Sequence, residues 1–148
     1  MMNESRANIY KFIEDMLIND VTQNVYLVNE PQELTQSDVT NGFIVVRVGD
    51  LNDASEFDCQ AYGWARVFIE AYIPPKSRGR LNTQIYESFE SGINMVIKKS
   101  QKEQRDAMYW IRNDSILSTD AIDYATANNT FFVFVKSFVV MIDEDLYS

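Results

Sequence analysis

Residues 59–73 read CQAYGWARVFIEAYI, and their alternation decides the fold. One side of the run carries Ala61, Gly63, Ala65, Val67, Ile69 and Ala71, and the other carries Tyr62, Trp64, Arg66, Phe68, Glu70 and Tyr72. Because successive side chains of a strand point to opposite faces, the run predicts one long β-strand with two unlike faces. Small residues let another element come close, so that face is assigned to helix packing. The second face mixes large rings with two charges and is expected to differ from a dry core. Pro74 and Pro75 end the strand, since proline cannot donate to a hydrogen-bonded ladder.

Downstream, Lys76 to Arg80 reads as a basic loop. Asn82 is then a candidate N-cap for a helix reaching about Ser100, with Leu81, Ile85, Phe89, Ile93, Val96 and Ile97 on one face. Gly92 inside it costs about 1 kcal/mol relative to alanine, which suggests a close helix-to-sheet approach. Met108 to Arg112 predicts a short strand. Ser115 to Asn129 is a polar segment with one short helical turn expected at Asp120 to Tyr124. Thr130 to Ile142 (TFFVFVKSFVVMI) is a second long strand, apolar on both faces. At about 3.3 Å per residue, two strands of this length extend on the order of 43 Å.

Upstream, Ile9, Phe12, Ile13, Met16 and Leu17 recur at helical spacing and predict an amphipathic helix from about Glu4 to Asn19. Asn24 to Val28 and Gly42 to Val48 read as strands joined by a polar connection, Asn29 to Thr40. The expected fold is therefore α+β. It has about five strands in a largely antiparallel sheet and two main helices, in the order α-β-β-β-α-β-β, as a single domain over residues 1–148. The second helix should pack on the Ala61, Ala65, Val67 and Ile69 face. The first is too little to cover the aromatic face, whose remainder is expected to meet another subunit, unless the sheet curls over itself or Ser115 to Asn129 covers it.

Composition narrows function by exclusion. With 148 residues the chain can bury roughly two-thirds of its unfolded surface. It contains no histidine, which removes the commonest general base and metal ligand and every Ser-His or Cys-His nucleophile. Its five glycines form no phosphate loop, and its single Cys59 has no activating partner in sequence and no bridge partner in the chain. The acidic loop holding Asp50, Asp53, Glu56 and Asp58 lacks the spacing of a calcium loop and reads as solvated. No catalytic residue, cofactor or metal site is expected, and the chain is read as a non-enzyme.

Net charge is −9, which argues against a dedicated nucleic-acid binder. Yet Lys76, Arg78, Arg80, Lys98, Lys99, Lys102 and Arg105 face only Glu87, Glu90 and Glu103 over residues 74–105, a local +4 that leaves −13 for the rest. Such a dipolar surface suits head-to-tail or hetero-association, although charges that merely solvate a helix read the same way. A single cysteine and no charged-then-apolar leader predict a cytoplasmic protein. The longest apolar run, Phe131 to Ile142, is broken by Lys136 and Ser137 and is too short to span a bilayer.

In its order of elements the chain resembles phage tail terminator and neck (head-tail completion) proteins. The matching features are the helix around Ile9 to Leu17, the strands at Asn24 and Gly42, the long strand Cys59 to Ile73, the helix around Gln84 to Lys99, and the closing strands MYWIR and TFFVFVKSFVVMI. The likeness is one of element order and carries over no site residue. It implies a structural assembly protein of a phage or prophage particle, self-associating as a ring and meeting other tail or neck proteins, with no specific nucleic-acid or membrane partner. The residues expected at the interface are Tyr62, Trp64, Arg66, Phe68, Glu70 and Tyr72, with Lys76, Arg78 and Arg80 beside them. A different reading of the same face is a ligand- or peptide-binding module with a pocket around Trp64 and Trp110.

Overall fold

The computed structural model describes residues 2–27, 33–50, 52–53, 63–76, 80–102, 109–111, 117–118, 122–125 and 130–142. The elements are α1 (Met2–Asp20), β1 (Val25–Leu27), α2 (Gln36–Asn41), β2 (Phe43–Val48), β3 (Asn52–Asp53), β4 (Gly63–Ile73), β5 (Pro75–Lys76), β6 (Arg80–Leu81), α3 (Thr83–Lys102), β7 (Tyr109–Ile111), β8 (Leu117–Ser118), β9 (Ile122–Ala125) and β10 (Thr130–Ile142). The fold is α+β, built on a sheet whose main path runs β1-β2-β4-β10-β7.

The two long strands form the spine. β4 and β10 pair antiparallel from Phe132 opposite Ile73 to Ile142 opposite Gly63. β2 pairs antiparallel with the other edge of β4, and β1 joins β2 in parallel, which makes the sheet mixed at that end. The far edge of β10 is shared end to end by β9, β8 and β7, each antiparallel to it. Tyr124, expected in a helical turn, therefore stands in a strand. The segment after Ser115 extends the sheet at its edge where it is described, and the turn expected at Asp120 to Tyr124 is corrected to β9 over residues 122–125.

Register makes the two faces explicit. Ile44, Ala71 and Phe134 stand in one row, and Val46, Ile69 and Lys136 in the next, on the face that receives the helices. Ala65, Val67, Ile69, Ala71 and Ile73 join Ile9, Ile13 and Leu17 of α1 and Phe89, Ile93 and Ile97 of α3 in one buried cluster. Small side chains on β4 let this layer close, as the sequence predicts. Each fully buried aliphatic here contributes about 1.5–3 kcal/mol relative to exposure. Both long helices, α1 and α3, lie on this one face, so α1 is not the cover of the aromatic face. Lys136 shares the helix face and is only 7% exposed, its aliphatic stem covered among apolar neighbours.

Local chemistry seats the helices. The Tyr10 hydroxyl accepts the Val48 amide at 3.0 Å and ties α1 to the end of β2. Asn82 Oδ1 accepts the Ile85 amide at 3.3 Å, the cap expected at the start of α3. Gly92 meets Val21, just past the end of α1, at 3.1 Å from where its β-carbon would stand. The close approach read from this glycine is thus made to the other helix and not to the sheet.

The short helix α2 lies within the connection expected to be irregular. Thr35 Oγ1 accepts the Asp38 amide at 3.1 Å while Asp38 Oδ2 accepts the Thr35 amide at 3.0 Å, a reciprocal capping box. Gly42 follows the helix at φ 86° and returns its amide to the Asp38 carbonyl at 3.0 Å.

Candidate interaction surface

The face of the sheet turned away from both helices has three zones. At one end, Phe43 and Tyr72 stack with ring centroids 4.5 Å apart and planes 4° apart. Phe131 stands edge-on to Phe43, and Val45 and Val133 complete a buried cluster against which Leu34 and Tyr26 pack. Leu34 sits just before the α2 cap, so the α2 segment covers this end. Asp38 holds that segment down: it is fully buried and accepts the Tyr26 hydroxyl at 2.6 Å. Burial, together with the hydrogen bond to Asp38 and its charge, pushes the Tyr26 hydroxyl up to about 12 from an ordinary 10. Asp38 Oδ1 is buried with no hydrogen-bond partner.

The middle zone is polar. Arg47 Nε meets Glu70 Oε2 at 3.1 Å, and the Tyr72 hydroxyl donates to Glu70 Oε1 at 3.3 Å. Arg66 Nη1 donates to Ser137 Oγ at 2.9 Å, across the β4–β10 pair. Phe68 lies half-buried between these groups, directly opposite both Arg47 and Ser137. Arg47 keeps 41% of its side chain exposed and Glu70 20%, so the band is wet, as two charges among rings require.

At the far end, Trp64 is half-buried and packs against Val139 and Met141. Met141 pairs with Trp64 on one side and with position 110 of β7 on the other, so the two tryptophan positions bracket one methionine.

The structure thus gathers Trp64, Arg66, Phe68 and Glu70 of the expected interface on one face. Tyr72 is on that face too but is 3% exposed and belongs to the buried stack, supporting the surface from beneath and offering none of its own. The expectation that this face differs from a dry core is met in the middle zone and not at the Tyr72 end. Tyr62 and Arg78 lie outside the described residues, as do Cys59, Glu56 and Asp58. Sequence reasoning missed Arg47 and Ser137 as members of the band. The strand GFIVVRV holds Arg47 as its one charge, a signal that could have marked it.

Lys76 and Arg80 stand apart from the sheet face. They face each other at the ends of the expected basic loop, in the short antiparallel pair β5–β6, and residues 77–79 between them lie outside the described residues. A solvent-open groove of about 490 Å3 lies elsewhere, where the end of α1 crosses α3, lined by Asp20, Gly92, Met95, Val96, Lys98 and Lys99. Met95 on its rim is 69% exposed.

Among the described residues no three cysteine or acidic side chains converge to hold a metal, and no helix is long and apolar enough to cross a membrane. No known family model matches the chain, and no curated protein matches it significantly.

Proposed function

We propose that the protein is a structural assembly component of a phage or prophage particle, of the tail terminator or head-tail connector kind, which works by self-association and performs no reaction of its own. The observation that supports this reading is the placement of both helices on one face of the sheet, while the other exposes a band of Trp64, Arg66, Phe68, Glu70 and Arg47. Tyr, Trp, Phe and Arg with few aliphatics are the composition of protein interfaces, where a ring supplies area and a charge fixes register. A ring of chains carrying −9 each would repel DNA from its lumen walls and let it pass.

The test joins oligomer mass to thermal stability for Trp64→Ala. An interface tryptophan would lose about 2 kcal/mol of association free energy, roughly 30-fold in affinity, with Tm nearly unchanged. A core tryptophan would lose about 3–5 kcal/mol of folding stability. A large drop in Tm under conditions where the parent is monomeric would sink the interface. Recovery of the chain in purified particles would support the assembly role.

The second reading, a ligand- or peptide-binding module, expects a pocket around Trp64 and Trp110; the groove beside Met95 lies elsewhere, where the end of α1 crosses α3, and would be a different site for it. It requires saturable quenching or a chemical shift at α3 on titrating ligand, with no change in oligomer mass.

A further inference from the structure

Helix α3 turns one stripe away from the sheet. Glu87, Ser91, Met95 and Lys98 are exposed and follow one another at helical spacing, on the side opposite buried Phe89, Ile93 and Ile97. Among the described residues Met95 is the one large apolar side chain left in water. A single exposed methionine is ordinary, but this one stands on a ridge between two hollows. On one side is the groove floored by Gly92 and Val96, and on the other a hollow of about 380 Å3 bounded by Glu87, Glu90, Ser91, Asn94 and Lys98. The stripe therefore carries both a knob and a hole.

Charge along the stripe changes sign, from Glu87 and Glu90 to Lys98 and Lys99. The helix itself gains little from this order. Glu87 lies past the first turn of Thr83–Lys102 and Lys98 lies before the last, where the helix dipole no longer favours them. Three and four residues from Glu87 stand Thr83, Gln84, Glu90 and Ser91, and from Lys98 stand Asn94, Met95, Gln101 and Lys102, so neither has an opposite charge at intrahelical pairing distance along the helix. A second copy supplies one. When two α3 helices run antiparallel about a point between Gly92 and Ile93, Glu87 of each comes opposite Lys98 of the other, and each Met95 comes over the Glu90–Ser91 turn that bounds the smaller hollow. At 1.5 Å per residue the two charge pairs stand about 16 Å apart, with the methionines between them. A parallel pair would set like charges together, so charge alone chooses the direction. Such a contact is isologous, each patch meeting its own copy.

We propose that α3 is a two-fold docking surface for a second copy of this chain, in which the helices pair antiparallel, Met95 of each enters the hollow beside Ser91 of the other, and Glu87 meets Lys98 at both ends. The contact lies on the opposite side of the sheet from Trp64, Arg66 and Phe68 and does not depend on association through that face. Sedimentation velocity of the full chain at up to ~100 µM and about 50 mM salt tests it. The parent should dimerise, and Met95→Lys should weaken the dimer at least about tenfold with Tm unchanged. Glu87→Lys and Lys98→Glu should each weaken it at least about tenfold, and an equimolar mixture of these two variants should recover parental affinity, because each new charge then meets its opposite. A mixture no tighter than either variant alone overturns the antiparallel pairing. Association lost in Trp64→Ala and kept in Met95→Lys overturns the α3 contact and leaves the sheet face standing, whereas the converse keeps α3 and removes the sheet face. A parent monomeric throughout overturns both. Saturable binding of the apolar anion 1-anilinonaphthalene-8-sulfonate, lost in Met95→Lys while the parent stays monomeric, overturns the dimer in favour of a small-molecule site.

Discussion

The carbonyl oxygen of Tyr72 lies 2.6 Å from the place where a β-carbon on Gly42 would stand. Gly42 also adopts φ 86° and ψ 171°, a region of backbone space that only glycine occupies without strain. The chain must leave α2 and enter β2 in one residue while β2 closes on β4 at Phe43 opposite Tyr72. Backbone, not a movable side chain, blocks a substituent here. Gly42→Ala is expected to lose about 3 kcal/mol, read from urea denaturation with unchanged m. A loss under about 1 kcal/mol would mean that the α2–β2 junction relaxes freely.

Tyr26 and Asp38 make stability depend on pH in the alkaline range. The Tyr26 hydroxyl titrates at about 12 when folded and near 10 when unfolded, so the unfolded chain gives up its proton first as pH rises. The contribution is therefore complete below pH 10 and is lost progressively between 10 and 12. Tyr26→Phe should cost about 2 kcal/mol at neutral pH, because it strips a donor from a buried carboxylate. The difference between parent and variant should shrink across that window. A difference that grows with pH would contradict the assignment.

For Arg47 and Glu70 the expected coupling is small. An ion pair open to water on one side gains little Coulomb energy and is screened by salt, so a double-mutant cycle with Arg47→Ala and Glu70→Ala should give about 0.5 kcal/mol. Coupling above about 2 kcal/mol would show that the band is far drier than the 41% and 20% exposures of its two partners.

Gly92→Ala sets helix propensity against crowding. Alanine would gain about 1 kcal/mol inside α3. Both methyls of Val21, at 3.1 and 3.4 Å from the new β-carbon, oppose it, and rotating the side chain exchanges one for the other. We expect the two effects to cancel within about 0.5 kcal/mol, and Gly92→Ala in a Val21→Ala background to stabilise by about 1 kcal/mol. Equal effects in both backgrounds would remove Val21 from the account.

The parts of this molecule legible in sequence are those governed by local periodicity. Thr130–Ile142 and the alternation through Trp64, Arg66, Phe68 and Glu70 reveal strands because a period of two depends only on neighbours along the chain. The stripes of Ile9, Ile13 and Leu17 and of Phe89, Ile93 and Ile97 reveal helices for the same reason, and Asn82 marks a start because its cap is three residues away. The absence of histidine likewise belongs to the sequence and removes histidine-based general bases, nucleophiles and metal ligands before any fold is known.

Tertiary structure alone decided which apolar stripe meets which face. A stripe states that it must be covered without naming the cover, and α1 joined α3 on the small-residue face because Ile44, Val46 and Val48 extend that face beyond β4. The same holds for Tyr72, which reads like Trp64 in sequence but is buried because Phe43 and Phe131 arrive beside it from strands 29 and 59 residues away. α2 was legible only in Thr35 and Asp38, a capping signal too short to outweigh a polar connection. β8 and β9 exist because β10 offers a free ladder edge, and Lys76 stands opposite Arg80 because β5 pairs antiparallel with β6. These are contacts between distant segments, and their free energy appears only when the chain has closed.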